Sequence, residues 1–184
     1  MDFDISSDSK RFLLETARKA VKSSLEKSPL IIPPAPEGLG FKSGCFVTLH
    51  VNGRLRGCIG NFRNDVNIVK NVADMAVQAA FQDPRFPSVS EGELDSLEFE
   101  ISVLSPMIPI SSVEEAEVGR DGLYVVKGFN RGVLLPQVAE EYGWDKYEFI
   151  SHTCAKAGLS FDAWKTEKIE LYRFEAVVFS EKSV

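Results

Sequence analysis

Six consecutive residues, Leu55-Arg56-Gly57-Cys58-Ile59-Gly60, set a thiol, a guanidinium and two glycines side by side. A thiolate is a nucleophile, and a neighbouring cation favours it over the thiol. A glycine removes a side chain, so a ligand can approach the backbone, and N–H groups there can hold an anion or a developing oxyanion. The stretch therefore has the parts for thiol chemistry on an anionic substrate. Cys58 would be the nucleophile, Arg56 would stabilise the thiolate or the anion, and Gly57 and Gly60 would admit the substrate. Plainer readings stand beside this one. A free cysteine is often a small buried hydrophobe, a strand arginine is often a solvated edge charge, and a glycine can mark a β-bulge.

The surrounding residues read as a hairpin. Cys45 to Val51 alternates like a half-buried strand, Asn52-Gly53 follows, and Arg54 to Gly60 returns. Asn-Gly between two such runs signals a tight turn, because both residues must take positive φ. A regular two-residue turn sets Val51 opposite Arg54, Leu49 opposite Arg56 and Val47 opposite Cys58. Alternation then predicts that Arg54, Arg56 and Cys58 share one face, with Cys45 diagonally near Cys58. His50, Leu55 and Ile59 point the other way. Arg85, in the stiff loop Asp83-Pro84-Arg85-Phe86-Pro87, offers a further guanidinium for an anion, or else a salt bridge to Asp83.

The hexapeptide resembles the signature of the AMMECR domain family. Further stretches carry the likeness in order: Ala79-Ala80-Phe81 with Asp83-Pro84-Arg85-Phe86, Glu100 to Pro106, Gly119-Arg120-Asp121-Gly122, Leu134 to Ala139, Gly143-Trp144-Asp145, and Thr153-Cys154 with Lys156 to Leu159. The loop after the hexapeptide departs from the pattern. It reads Asn61-Phe62-Arg63-Asn64-Asp65 where the family is often proline-rich. The resemblance implies one α+β domain over residues 1–184, with two unequal lobes and the hexapeptide near a cleft between them. It implies no defined reaction. Prokaryotic members are called AmmeMemoRadiSam system protein A, which implies a pathway shared with a Memo-like protein and a radical S-adenosylmethionine protein.

Composition bounds the function. A chain of 184 residues that is 44% hydrophobic and 26% charged has the makeup of an ordinary globular protein. Its net charge of −6 argues against a broad nucleic-acid surface, which needs net basicity. Three cysteines, Cys45, Cys58 and Cys154, with no Cys-x-x-Cys spacing, fit a reducing cytoplasm. The N-terminus shows no basic stretch followed by an apolar one, so no signal peptide is expected, and Pro33-Pro34 cuts the most apolar run short of a membrane span.

The elements follow from periodicity and caps. Ser6 to Lys27 reads as a helix with Leu13, Ala17, Val21 and Leu25 on one stripe. Pro29 to Gly40 is an extended connector, either a flap or a wrap. Asp65 is expected to cap a helix from Val66 to Phe81, and Ser90-Glu91-Gly92-Glu93 is a capping box. Leu97 to Leu104 alternates as a strand with Glu98 and Glu100 on its solvated face. A smaller lobe within 106–160 would hold a hairpin around Gly128 to Arg131, a helix opened by Pro136, and a helix Lys146 to Ala157 that buries Cys154. A last strand, Ile169 to Ser180, places Tyr172, Phe174, Ala176 and Val178 on one face. The sheet is expected to be mixed or largely antiparallel and flanked by helices.

Several chemistries find no support. His50 and His152 are the only histidines, and neither is placed beside Cys58. No zinc-ligand spacing, phosphate loop or set of cluster-binding cysteines occurs, so no cofactor is expected. Two hypotheses remain. One is an enzyme using a Cys58 thiolate with Arg56, and with Arg54 or Arg85, on an anionic substrate. The other is a recognition module that holds an anionic ligand or partner protein, with Cys58 only packing.

Overall fold

A computed structural model describes residues 4–184. The fold is α+β, and every strand pairing recorded in it is antiparallel. The chain forms two compact units. The first runs to Leu104 and resumes at Val177–Val184, and the second is Ser105–Ala176.

The first unit packs two helices on a strand meander. Helix α1 (Ser7–Leu25) starts where the Ser6 hydroxyl accepts the Ser9 N–H, and it buries Leu13, Leu14, Ala17 and Val21. Strands β1 (Cys45–Val51), β2 (Arg54–Asn61) and β3 (Leu97–Leu104) are ordered β2-β1-β3, so β2 is an edge strand on this side. Cys45, Val47 and Leu49 of β1 and Phe99, Ile101 and Val103 of β3 alternate into the core, as the pattern predicts. Helix α2 (Ile68–Phe81) covers that face with Val72, Ala76, Ala79 and Ala80. Its cap is Asn67, whose Oδ1 accepts the Val69 N–H, and not the expected Asp65. Residues 66 and 67 are instead held extended: the Val66 carbonyl accepts the Ser43 N–H, and Lys42 bridges Asn67. Asp65 pairs with Arg63. The predicted capping box is present, with Ser90 and Glu93 opening a 3-10 turn over Glu91–Ser96.

In the second unit, β5 (Asp121–Lys127) and β6 (Asn130–Leu134) form the expected hairpin. A short β4 (Ile108–Ile110) and β5 flank β7 (Glu170–Ser180), so that Arg173 lies opposite Ile108 on one side and Leu123 on the other. Helices α3 (Pro136–Tyr142), α4 (Lys146–Lys156) and the short α5 (Ala163–Thr166) complete it. Phe149, Ile150 and Cys154 of α4 are buried with Leu123 and Val125. The last strand does not keep one face inward. Phe174 is buried over Gly122, and Phe179 is buried in the first unit's core, an odd five residues later, while Val178 is exposed. Its two ends serve two different cores, so one period-2 stripe cannot describe it.

Arg18 helps to hold the C-terminal residues within the first unit. Arg18 forks onto Glu181 with both contacts at 2.7 Å, and it also donates to the Leu94 and Leu97 carbonyls at 3.0 and 2.6 Å. Glu181 in turn accepts the Phe99 N–H at 3.0 Å. Hydrogen bonds to charged groups contribute more than neutral ones, so Arg18→Ala is expected to destabilise the fold by about 2 kcal/mol. Urea unfolding measures this as a lower midpoint with an unchanged slope.

Candidate functional site

The hexapeptide is shaped by a bulge. Asn52 and Gly53 take φ of 51° and 74°, the turn that Asn-Gly favours. Val51 pairs with Arg54 and His50 with Leu55, and then the register shifts. Leu49 pairs with Gly57, leaving Arg56 as the extra residue. Beyond it Thr48 faces Cys58, Val47 faces Ile59, Phe46 faces Gly60 and Cys45 faces Asn61. A one-residue slip exchanges the faces of every later side chain. The regular register expected from the turn is therefore overturned, and Cys58 does not share a face with Arg54. Cys45 points into the core, and Cys58 lies on the opposite face with Thr48. His50 is on that same face, since it is two residues from Thr48 on β1.

The cause of the bulge lies in α2. A Cβ on Gly57 would sit 2.2 Å from the Ala79 carbonyl oxygen, so the helix backbone rests directly on this glycine. The extra residue brings Gly57, and no larger residue, into the inward row opposite Leu49. Gly60 has a similar constraint, because its missing Cβ would lie 2.3 Å from the Phe46 ring. The protein's own atoms thus fill the space above both glycines.

The outward face of β2-β1-β3 has ordered rows. Cys58, Thr48 and Glu100 form one, and Leu55, His50 and Glu98 form the next. The Thr48 hydroxyl donates to Cys58 Sγ at 3.2 Å. Glu98 is paired with Lys182.

The free edge of β2 is held by the loop after α2. Cys58 N–H donates to Asp83 Oδ2 at 2.9 Å, and the Cys58 carbonyl accepts from Arg85 Nη2 at 3.4 Å. Arg85 also forks onto Asp83, with Nε to Oδ1 at 3.0 Å and Nη2 to Oδ2 at 2.7 Å. Asp83 is only 4% exposed, whereas the Arg85 side chain is 55% exposed. Arg85 thus makes the loop salt bridge and still reaches solvent. Its guanidinium, together with N–H groups of Cys58 and Arg85, holds the Asp83 carboxyl far below the ordinary carboxylate range.

Arg56 is committed elsewhere. Its Nε and Nη2 contact Glu93 at 2.8 and 3.3 Å, its Nη1 donates to the Pro87 carbonyl at 2.9 Å, and its side chain is 13% exposed. Glu93 also accepts from the Ser90 N–H and hydroxyl. Arg56 first, then Ser90, lower the Glu93 carboxyl from 4.5 to about 2. Arg54 is exposed beside the turn.

Of the three thiols, Cys45 is fully buried and pushed up to about 12, chiefly by burial. Burial also raises Cys154. Cys58 alone is half-buried. Among the described residues no group of three His, Cys, Asp or Glu side chains could hold a metal ion, and no helix is long and apolar enough to cross a membrane. The sequence reading missed Thr48 as the thiol's partner and the second role of Glu93 as the counter-ion of Arg56. Asp-Pro-Arg at 83–85 was the signal for the clamp, but only the fold brings it to Cys58.

Two measurements check this geometry. Gly57→Ala must push β2 off α2, and overpacking of this kind costs about 3 kcal/mol, read as a lowered denaturation midpoint. The depressed Glu93 carboxyl stabilises the folded chain above its unfolded value, because between pH 4.5 and about 2 the unfolded chain binds the extra proton. That stability is lost as pH falls through this window. Glu93→Gln should be less stable near neutrality and show a flatter acid-unfolding profile there.

The comparisons agree with this architecture and sequence. A model of the AMMECR1 family matches residues 14–179. A Methanocaldococcus jannaschii protein is 42% identical over 92% of this chain and 89% of its own length. A Thermococcus gammatolerans relative is 44% identical over 93% and 89% respectively. The crystal structure of an uncharacterised protein from Pyrococcus horikoshii superposes with a TM-score of 0.88 at 41% identity, covering 98% of this chain and 95% of that one. With a family match over nearly its whole length and relatives this similar, the chain belongs to the AMMECR1 family.

Proposed function

We propose that the edge of β2 at Cys58, with Arg85 beside it, recognises an anionic group on a small ligand or on a partner protein. One observation carries the reading. The buried Asp83 carboxylate holds the Cys58 N–H and the Arg85 guanidinium together, so a solvent-reaching cation is fixed next to a half-buried thiol. A guanidinium locked in this way loses little freedom when it takes an anion. Arg56 supports the site from beneath, by tying β2 to the 3-10 turn, and Gly57 lets α2 brace the strand. Arg54, Gly57 and Gly60 belong to the setting of the site.

A specific contact favours a second reading, that Cys58 is a thiolate nucleophile. The Thr48 hydroxyl donates to its sulfur, a contact that a thiolate accepts strongly. In this reading Arg85 takes the stabilising role that the sequence suggested for Arg56. The three unpaired thiols support a reducing, cytoplasmic setting. The resemblance to AmmeMemoRadiSam system protein A supplies the partners to try, a Memo-like protein and a radical S-adenosylmethionine protein.

Calorimetric titration with phosphate, pyrophosphate and short carboxylates tests the recognition reading, alongside a Memo-like protein from the same genome. Arg85→Glu is expected to abolish binding, and Cys58→Ala to leave it within a factor of about two, since only packing is lost there. Equal binding by Arg85→Glu and the parent chain overturns the assignment. The second reading has its own readout, the pH dependence of alkylation at each cysteine. A midpoint at Cys58 well below the free-thiol value of about 8.5 supports it. A Cys58 silent until unfolding removes it.

A further inference from the structure

The second unit carries a cleft that the Cys58 site does not use. It lies along α4 and α5 and has a volume of about 440 Å³. Its walls include the rings of Tyr147, His152, Phe161 and Trp164 and the carboxylates of Asp145 and Glu148. Residues four apart on a helix share a flank, which places Glu148 directly below His152 on α4. The rings are held in fixed stacks. Tyr147 lies parallel to Trp164 with centroids 5.9 Å apart, His152 stacks on Trp144 at 3.8 Å, and Phe161 meets His152 edge-on at 5.0 Å. Trp164 Nε1 donates to Ser151 Oγ at 2.9 Å, fixing the indole.

Trp144 and Trp164 are partly buried against the unit's core, but Tyr147 and Phe161 are not turned into it. Phe161 is 55% and Tyr147 46% exposed, although burial of each would favour the fold. Ring faces carry negative potential and attract cations. The two carboxylates are also fixed in place: Asp145 caps α4, and Glu148 returns a bond to the Asp145 N–H at 3.0 Å. The chain itself answers this field, since the Lys165 ammonium lies 4.6 Å from the centre of the Trp164 ring. We infer that this cleft binds an organic cation, an alkylammonium or guanidinium group, on Trp164 and Tyr147 with Glu148 as counter-charge. Lys165 is the internal occupant that the ligand displaces.

The protein has two tryptophans; Trp164 lines this cleft and Trp144 stacks on His152 of its wall, so intrinsic emission reports on the site. The experiment titrates the full chain with tetramethylammonium chloride and with arginine amide, at ionic strength held constant with sodium chloride. A saturable change in tryptophan emission is expected with at least one of them. A response to arginine amide alone assigns a peptide side chain as the natural occupant, and a response to tetramethylammonium alone assigns a small alkylammonium compound. Glu148→Gln, which keeps the capping bond, should weaken binding roughly tenfold, and Lys165→Gln should strengthen it roughly threefold by vacating the ring. No saturable change with either cation overturns the inference. So does equal binding by Glu148→Gln and the parent chain, or an equal response to adenosine, which would mean a stacking surface without charge selection.

Discussion

The candidate site depends on one buried carboxylate. Strand β2 lies at an edge of the first unit's meander, and an edge strand leaves every second N–H and C=O without a strand partner. Asp83 meets that need at Cys58 by accepting its N–H, and it positions Arg85 to cover the neighbouring carbonyl. A buried carboxylate is itself costly unless paired and hydrogen-bonded, and Asp83 takes contacts from two backbone N–H groups and one guanidinium. Each side therefore solves the other's problem. Removing Asp83 would free the strand edge and release Arg85 together, which is why the strand's geometry and the site's electrostatics cannot be separated here.

Close helix–strand approach is the second constraint, and it recurs in both units. In the first, the Ala79 carbonyl of α2 occupies the place of a Gly57 side chain. In the second, the Thr153 carbonyl of α4 and the backbone nitrogen of Ala157, which caps that helix, do the same at Gly132. Helix backbone against strand backbone needs a residue without Cβ at the contact. At Gly57 this requirement also forces the bulge, because a regular register would turn a different residue under the helix. The bulge then decides which face carries Cys58. A packing demand in the core thus fixes the placement of a surface thiol.

Charge near the hexapeptide is distributed by the same contacts. Arg56 looks like a free cation in the sequence, but it is bound to Glu93 and largely covered. Arg85 looks like half of a loop salt bridge, yet it is the guanidinium that reaches both Cys58 and solvent. Of the two arginines, the folded chain covers Arg56 and leaves Arg85 reaching solvent beside Cys58. In the second unit the cation on Trp164 is likewise supplied from within, by Lys165.

Local signals determined most of the scaffold from the sequence alone. Alternation marked β1 and β3, Asn52-Gly53 marked the turn, Ser90 with Glu93 marked a capping box, and the helix pattern of α4 marked Cys154 as core. Each depends on residues within a few positions of one another, and so does the hexapeptide that carries the family likeness. The tertiary structure decided what those signals leave open. The start of α2 moved to Asn67 because residues 66 and 67 pair with the chain around Lys42. The face of Cys58 was set by a helix carbonyl from Ala79, and the partner of Arg56 came from Glu93, thirty-seven positions away. Periodicity describes one element against one core. A bulge, a clamp or a strand shared by two cores arises only when distant segments compete for the same space and the same hydrogen bonds.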